Sequence, residues 1–494
     1  MPVRQIFKPL RNYLAQLDQL SFLSAIYYLS THVEFGLPLP EYLKAANPTN
    51  SRDWTKLNFY MWELDTLARE VFIHSPHYGG KPVHWKHVAN SLNLLKWTEN
   101  EAYGAHGDEN SVFSEMARIA HRQFHWQQGV SHPDITRYRR IYRQSGMDEV
   151  VQQEFGLTAE QYFLAGFALL ATFMKHSAFA DPFLARVEQV LGFSAAPLVE
   201  RYTTTIPQLR NEGLGLRSLD VDWAYTFHPL WAHPLIELAG GRTICPIPGL
   251  LARRFTDGLY FDFAKNPDNL ARHLGPAFQT YIGDVLNAAN RGRFRITPEA
   301  SFGKPKAPKR SVDWIVEDET GVLFIECKVL RLAYVGRSKL APIEPIDREF
   351  RKLARAVAQT YASLEIALRG EYPHWKPSEK PVYPMIVTMD NWNLFTHITM
   401  GMLREMVTEE LNRRGVDLTL VDRHPYTTCW ARELEMGIQV MHELGIDGVL
   451  RGITRDKLGY LFSGYLQSEF SDAVQRTRPL FPDEPEGMLA LLHP

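Results

Sequence analysis

The chain contains few cysteines and no cysteine pair with the spacing of a metal or redox motif. Its 494 residues include only three cysteines, Cys245, Cys327 and Cys429, which lie far apart. An odd number of widely spaced thiols argues against a disulfide framework and against a zinc finger. The pattern fits a protein of a reducing compartment, and we expect a cytoplasmic location.

Long apolar runs are also missing. The first residues, Met-Pro-Val-Arg-Gln, lack the apolar core of a signal peptide. The most membrane-like stretch, residues 163–174, is shorter than the roughly 20 residues that a helix needs to span a bilayer. We therefore expect no association with a membrane and interpret this stretch as a buried helix.

The chain carries little net charge, −2 in total, so its overall composition does not indicate nucleic-acid binding. The charge is nevertheless unevenly distributed. Residues 291–355 hold 15 Lys or Arg and nine Asp or Glu, a local charge of +6, which leaves −8 for the remainder. Such a region attracts a polyanion, whose binding then weakens with salt. The alternative is that charge merely fluctuates at this length scale.

The length and the ordinary globular composition, with 45% hydrophobic residues, allow two or more domains. Residues 1–219 are predicted to be a helical domain for recognition of a substrate or partner. Residues 220–494 form the second predicted domain, with an accessory β element over 220–263 and a catalytic core over 268–395. The predicted fold class is α/β, or α+β overall. Helical periodicity in the first domain covers several ranges: 10–33, 54–72, 111–127, 158–175 and 182–191.

Two short patterns in the helical half have the composition of functional sites. His121 and His125 have the spacing of metal ligands on a helix, but no glutamate adjoins His121, so the zinc-protease motif is missing. Residues 137–143, Arg-Tyr-Arg-Arg-Ile-Tyr-Arg, interleave basic and aromatic side chains, which suits stacking on bases. A basic amphipathic helix against another protein surface is an equally good interpretation of that segment.

The most informative segment of the chain is residues 311–328. Two apolar runs rich in β-branched residues flank Asp-Glu-Thr-Gly at 318–321, a typical turn sequence, and this predicts a β-hairpin. With the four turn residues as the loop, Ile315 lies opposite Phe324, and all other opposed pairs follow from that register.

In this register Asp313 lies opposite Glu326, and the alternation of side chains puts Lys328 on the same face. Two opposed carboxylates repel each other and destabilise a sheet, so a cation must offset them. Lys328 does this in part and a divalent metal does it better, which indicates hydrolysis of a phosphodiester. The opposite face is predicted to be core and carries Val312, Trp314, Val316, Leu323, Ile325, Cys327 and Val329.

The pattern Asp-x12-Glu-x-Lys on consecutive strands resembles the PD-(D/E)xK nuclease superfamily, which has the restriction-endonuclease-like fold. The resemblance implies that Asp313 and Glu326 hold Mg²⁺, with Mn²⁺ as an alternative ion. It further implies that the Cys327 carbonyl is an additional ligand and that Lys328 orients the attacking water. Mg²⁺ prefers oxygen ligands and keeps several waters, which agrees with this set. The alternative is a surface salt-bridge cluster, since exposed hairpins often carry these residue types.

The elements around the hairpin also follow the order of that superfamily core, α-β-β-β-α-β around a central mixed sheet. A helix is predicted over 270–289, a strand over 294–302, a long helix over 346–368 and an apolar strand over 382–389. Outside this core, further strands are predicted over 235–239, 242–246, 258–263 and 417–421.

The chain departs from the family pattern on the first core helix. Members often carry a glutamate there as a further metal ligand, whereas this chain has Gln279. Glutamine can orient a water but is a poor metal ligand because it lacks charge. Glu299 on the first core strand is the candidate for the missing charge, although a surface glutamate at a strand end is equally plausible. The departure leaves the number of metals open.

A second polar constellation follows on the long helix and in the basic region. Gln359 is expected to support the site, next to basic residues that contact a nucleic-acid backbone or form a solvated polar face. The predicted backbone-binding residues are Lys304, Lys306, Lys309, Arg310, Arg331, Arg348, Lys352 and Arg355.

These features together predict a Mg²⁺-dependent nuclease, with DNA favoured as substrate, that is similar to bacterial defence nucleases acting against phage. One alternative is a ribonuclease that uses the same residues on structured RNA such as tRNA. Another is a nucleic-acid-binding or scaffold protein of the same fold with weakened catalysis. Fold does not determine biological role, and these features are compatible with a homo-oligomer or with a regulatory protein partner.

Overall fold

The protein is described from a computed structural model. It describes residues 3–51, 53–104, 119, 122–123, 126–127, 129–144, 146–217, 219–220, 222–264, 268, 270–330, 343–392, 397–455 and 461–482. The described chain divides into two compact units, one before and one after residue 266. Helices and sheets occur together, so the α/β class is confirmed at this coarse level.

The first unit is mostly helical. Its α-helices are α1 Val3–Ile6, α2 Lys8–Leu14, α3 Gln19–Phe35, α4 Met61–His74, α5 Trp85–Gly104, α6 His132–Tyr142, α7 Met147–Phe155, α8 Ala159–Lys175, α9 Asp181–Leu191, α10 Ala196–Tyr202, α11 Ile206–Leu216, α12 Pro248–Phe255 and α13 Tyr260–Phe263. The helix predicted over 10–33 is in fact two helices. The second helix begins after Asp18, which is its N-cap: the Asp18 side chain accepts a hydrogen bond from the Ser21 backbone N–H at 2.8 Å.

A small sheet determines where the first unit ends. Its strands are β1 Ala178–Ala180, β2 Thr203–Thr205, β3 Leu235–Leu238 and β4 Arg242–Ile244, in the order β1-β4-β3-β2. The accessory strands β3 and β4 therefore pair with strands of the helical half. The boundary consequently falls near residue 266 rather than after 219. The strand predicted over 258–263 is wrong, because those residues are helical.

The basic and aromatic segment 137–143 lies on α6 and is largely buried. Arg137 is paired with Asp134 at 2.7 Å, and Arg139 with Glu160 at 2.5 Å. Tyr138 is also buried in the unit. These side chains are occupied inside the fold, so stacking on bases is excluded for them. His121 and His125 lie outside the described residues.

The strands of the second unit are β5 Arg295–Pro298, β6 Ser301–Lys304, β7 Ala307–Arg310, β8 Trp314–Glu317, β9 Val322–Lys328, β10 Val382–Thr388 and β11 Thr427–Trp430. Five of them form a mixed sheet, in the order β11-β10-β9-β8-β5. Strands β5, β8 and β9 are antiparallel neighbours, whereas β9, β10 and β11 run parallel. Ile315 pairs with Phe324 and Glu317 with Val322, so the predicted hairpin register is confirmed.

Helices cover both faces of this sheet. Its α-helices are α14 Gly275–Ala289, α15 Ile343–Leu368, α16 His397–Arg414, α17 Thr419–Arg423, α18 Ala431–Leu444, α19 Ile446–Arg455, α20 Phe462–Glu469 and α21 Ser471–Arg476. Trp314 faces α14, whereas its neighbour Ile315 packs in the cluster around α15. Both hairpin faces are thus buried, including Ile315 and Phe324, which the sequence placed opposite the core. The reason is that parallel strands with helical connections are covered on both sides.

Two strand predictions in the second unit differ from the structure. The single strand expected over 294–302 is interrupted at Glu299 and Ala300, and the chain then forms a separate hairpin, β6 and β7. The strand expected over 417–421 is instead the start of α17, because Asp417 accepts from the Thr419 backbone N–H at 2.9 Å. The strand that extends the sheet is β11, and α18 begins directly after it.

No single helix in the described part of the chain is long and apolar enough to cross a membrane. The helices α7 and α8, bent by 59° at their break, meet the criteria of length and apolarity only as a pair.

Gly283 sets how closely α14 approaches the sheet. A Cβ atom at this position would lie 2.3 Å from Cζ2 of Trp314, whose Nε1 donates to the Gln279 carbonyl at 3.0 Å. We expect Gly283→Ala to lower the free energy of unfolding by about 1–3 kcal/mol, as overpacked cores do. Gly275→Ala, in the first turn of the same helix with open space around it, is the control. Equal melting temperatures for the two variants would contradict this packing.

Candidate active site

A polar pocket of about 230 Å³ lies beside the end of β9 in the second unit. Elements from across the unit contribute to it: α14, the turn after β5, the end of β7, both strands of the central hairpin and α15. The lining residues are Gln279, Glu299, Arg310, Ser311, Asp313, Glu326, Lys328, Gln359 and Ser363. The structure therefore brings together all five residues predicted to be catalytic.

Asp313 precedes β8 and is fixed by the neighbouring strand. Its Oδ2 accepts from the Cys327 backbone N–H at 2.6 Å, which anchors the carboxylate beside Glu326 and Lys328. The register of β8 and β9, continued by one residue beyond Trp314, puts Asp313 opposite Glu326. The local geometry thus agrees with the register expected from the turn sequence.

Glu326 and Lys328 form a close ion pair. Lys328 Nζ lies 2.6 Å from Glu326 Oε1, with the glutamate side chain 6% and the lysine side chain 27% exposed. Burial alone would lower the pKa of Lys328, but the nearby Glu326 and Asp313 outweigh it and raise the pKa. Lys328 is therefore a firmly held cation at the pocket wall.

The ionised form of Asp313 is destabilised by this arrangement. Burial and the adjacent negative charge of Glu326 raise the pKa of Asp313 to about 7, against the opposing effects of the Cys327 N–H and Lys328. Glu299 adds a further small increase, so it lies near enough to interact with Asp313. A pocket that concentrates carboxylates in this way favours an additional cation.

Glu299 is held by two partners in the pocket lining. Gln279 Nε2 donates to Glu299 Oε2 at 3.3 Å, and Arg310 Nη1 lies 3.6 Å from Glu299 Oε1. Gln279 therefore contacts a carboxylate and helps to hold Glu299 in place. The position of Glu299 between these two groups also argues against the interpretation of an isolated surface glutamate.

One face of α15 continues from the pocket along the helix. Gln359 and Ser363, spaced by four residues, line the pocket, and Arg348 and Lys352 lie on the same face by helical spacing. Arg355 instead turns towards α16, where its Nε lies 3.3 Å from Glu410. This ion pair counts against Arg355 as a backbone-binding residue.

The hairpin formed by β6 and β7 presents four of the eight predicted basic residues. Lys304, Lys306, Lys309 and Arg310 are all exposed. Lys309 lies 3.9 Å from Glu371, and the hairpin is anchored by Phe302, whose ring is 5.3 Å from that of Tyr372. Arg331 lies outside the described residues.

Two lining residues were not predicted from the sequence. Ser311 accepts from the Ala300 backbone N–H at 2.9 Å and ties the start of the central hairpin to the turn after β5. Ser363 lies one helical turn after Gln359, so the spacing of α15 contained the signal that would have identified it.

The pocket donors fit a hard divalent cation. Three carboxylates and two cationic side chains line it, and no imidazole is among the lining residues. Oxygen ligands are those that Mg²⁺ and Mn²⁺ prefer. Over the described ranges, no three His, Cys, Asp or Glu residues are grouped closely enough to hold a metal by themselves. The resident pair is Asp313 and Glu326, and the Cys327 carbonyl or a displaced Glu299 would have to complete the set.

Comparisons of the chain with protein-family models, curated proteins and solved structures found no match.

Proposed function

We propose that the second unit is a metal-dependent nuclease with a restriction-endonuclease-like core, which hydrolyses phosphodiester bonds in nucleic acid. The observation that carries the proposal is the register of the central hairpin. It brings Asp313 and Glu326 together in one polar pocket with Lys328, under the element order α-β-β-β-α-β. A salt-bridge cluster on a surface would not need buried carboxylates, and Glu326 is only 4% exposed.

The chain's own groups have distinct tasks in this proposal. Asp313 and Glu326 would hold Mg²⁺, which, when bound, supplies Lewis-acid chemistry that activates water and neutralises charge on the phosphate. Lys328 adds a fixed positive charge where a phosphate becomes most negative during hydrolysis. The Gln359 amide and the Ser363 hydroxyl also line the pocket and offer further hydrogen bonds.

The test of this function is cleavage of three matched substrates by the wild type. Plasmid DNA, single-stranded DNA and total tRNA are incubated with the protein in Mg²⁺ or in EDTA. Cleavage of at least one substrate that requires Mg²⁺ supports the proposal, and the substrate that is cut separates the DNase from the ribonuclease. Cleavage that persists in EDTA would contradict it.

One observation favours a second candidate function, a nucleic-acid-binding protein without catalysis. Lys328 is already neutralised by Glu326, and the described residues contain no complete metal-binding group. A calorimetric titration with Mn²⁺ discriminates between the two. The nuclease predicts saturable binding that Asp313→Asn removes, whereas the binding protein predicts none.

The exposed lysines of the β6–β7 hairpin give a prediction for nucleic-acid binding. We expect the double variant Lys304→Ala and Lys306→Ala to bind a DNA duplex more weakly. The slope of log affinity against log salt should fall by about 2, since each lost phosphate contact removes roughly one unit. The control is the double variant Arg423→Ala and Arg476→Ala, which removes two exposed cations elsewhere in the unit. Equal slopes for both double variants would exclude the hairpin from the interface.

A further inference from the structure

Arg310 is the member of the pocket lining that the β6–β7 hairpin contributes. Its side chain is 74% exposed, and its guanidinium contacts Glu299 at 3.6 Å, while the glutamate side chain is 22% exposed. The second oxygen of Glu299 accepts from Gln279 at 3.3 Å. The Glu299 carboxylate is therefore held by two long contacts. One of these is to Arg310, the most exposed cation of the pocket lining and hence the one that an incoming anion would meet first.

The strengths of the competing contacts favour exchange. An exposed ion pair with a single long contact contributes little to stability. A guanidinium binds a phosphate through two parallel charge-assisted hydrogen bonds, and these are shorter and stronger. A phosphate at the pocket can therefore replace the carboxylate on Arg310, provided that the rest of the ligand is also held.

We propose that Glu299 and Arg310 form a latch that a nucleic-acid backbone opens, with one phosphate taking the place of the Glu299 carboxylate on Arg310. The latch rests on the proposed function and specifies how the site selects its substrate. A polymer is also held by Lys304 and Lys306 of the same hairpin, so it can compete with Glu299. Inorganic phosphate lacks those additional contacts and leaves the latch closed.

A double-mutant cycle in EDTA tests the latch without any cleavage. The affinity for a short labelled DNA duplex is measured by fluorescence anisotropy for the wild type, Glu299→Gln, Arg310→Ala and the double variant. Glu299→Gln is expected to tighten binding about fivefold, the size of an exposed ion pair. In the Arg310→Ala background the same change should have no effect. Inorganic phosphate, added at constant ionic strength and with the same total phosphate charge as the duplex, should not displace the duplex.

The chain offers a matched control for the loss of a negative charge. Glu371 pairs with Lys309 on the same hairpin at 3.9 Å but is not part of the pocket lining. Glu371→Gln should leave the affinity unchanged, and thermal unfolding checks that each variant is folded. An equal gain from Glu299→Gln in both backgrounds, or no gain in either, would overturn the latch.

The two proposals can fail separately. Duplex binding and Mg²⁺-dependent cleavage without coupling between Glu299 and Arg310 would overturn the latch alone. Absence of duplex binding by the wild type, together with absence of cleavage, would overturn the proposed function and the latch with it.

Discussion

Replacing Glu326 by glutamine is expected to abolish nucleic-acid cleavage while the fold stays intact. Several kcal/mol of transition-state stabilisation come from a bound metal, so the rate should fall by roughly 10³-fold or more. The same change removes one of two opposed carboxylates. Relief of their repulsion is opposed by loss of the Glu326–Lys328 ion pair, while Asp313 remains beside Lys328 as a counter-charge. The stability of the metal-free protein should therefore change by less than about 1 kcal/mol.

Loss of activity with little change in stability distinguishes a functional carboxylate from a structural one. If Glu326 served only the ion pair with Lys328, its neutralisation would destabilise the protein and leave cleavage unchanged. Initial rates in Mg²⁺ and the melting temperature in EDTA provide the two readouts. Glu317→Gln is the matched control, because Glu317 lies on the same hairpin and pairs with Lys380 outside the pocket.

The largest loss of stability in the second unit is expected for Asp318→Ala. The Asp318 carboxylate is buried and accepts from the backbone N–H groups of Thr320, Gly321 and Ile446, at 2.8, 2.9 and 3.0 Å. It thereby shapes the hairpin turn and joins it to the start of α19. Removal leaves these buried donors without their acceptor and should cost about 3 kcal/mol or more.

Chemical denaturation of Asp318→Ala and Glu319→Ala measures this difference. Glu319 is the next turn residue; its side chain is 66% exposed and pairs with Arg293. Its loss should cost less than about 1 kcal/mol, as for other exposed pairs. Similar losses for the two variants would show that the Asp318 network does not hold the turn.

The same network predicts a dependence on pH. Burial would raise the pKa of Asp318, but the hydrogen bonds from Thr320, Ile446 and Gly321 outweigh it and lower the pKa. A lowered pKa in the folded state means that the stabilisation is present above the ordinary aspartate pKa. It is lost as the pH falls through the folded pKa. The difference in stability between wild type and Asp318→Ala should therefore be largest near neutral pH and shrink under acidic conditions.

The central hairpin could be predicted in detail because its information is local. Two apolar runs with a turn sequence between them leave one reasonable loop, and the loop fixes which residues oppose each other. Ile315 consequently pairs with Phe324 as expected, and the helix α15 and the strand β10 also lie where periodicity places them. Once the register is fixed, every residue of a strand face has a fixed neighbour on the opposite strand. The grouping of Asp313, Glu326 and Lys328 in the pocket therefore follows from the register.

Features that depend on distant contacts could not be read from the sequence. The accessory strands β3 and β4 have partners at residues 178–180 and 203–205, and no local pattern identifies such pairs. Residues 137–143 have the composition of a nucleic-acid surface, but Arg137, Arg139 and Arg143 pair with Asp134 or Glu160 within the fold. The helix face of Arg355 likewise predicts a contact with a nucleic-acid backbone, whereas in the fold its side chain pairs with Glu410 on the neighbouring helix.

Cleavage as a function of Mg²⁺ concentration, for wild type and Asp313→Asn, tests the central claim most directly. Asparagine keeps an acceptor for the Cys327 N–H but removes the charge that would hold the metal. The proposal predicts saturable, EDTA-sensitive cleavage by the wild type and none by the variant at any Mg²⁺ concentration, with equal folding. Cleavage by Asp313→Asn at the wild-type rate would contradict the assignment of this pocket as a metal-dependent nuclease site.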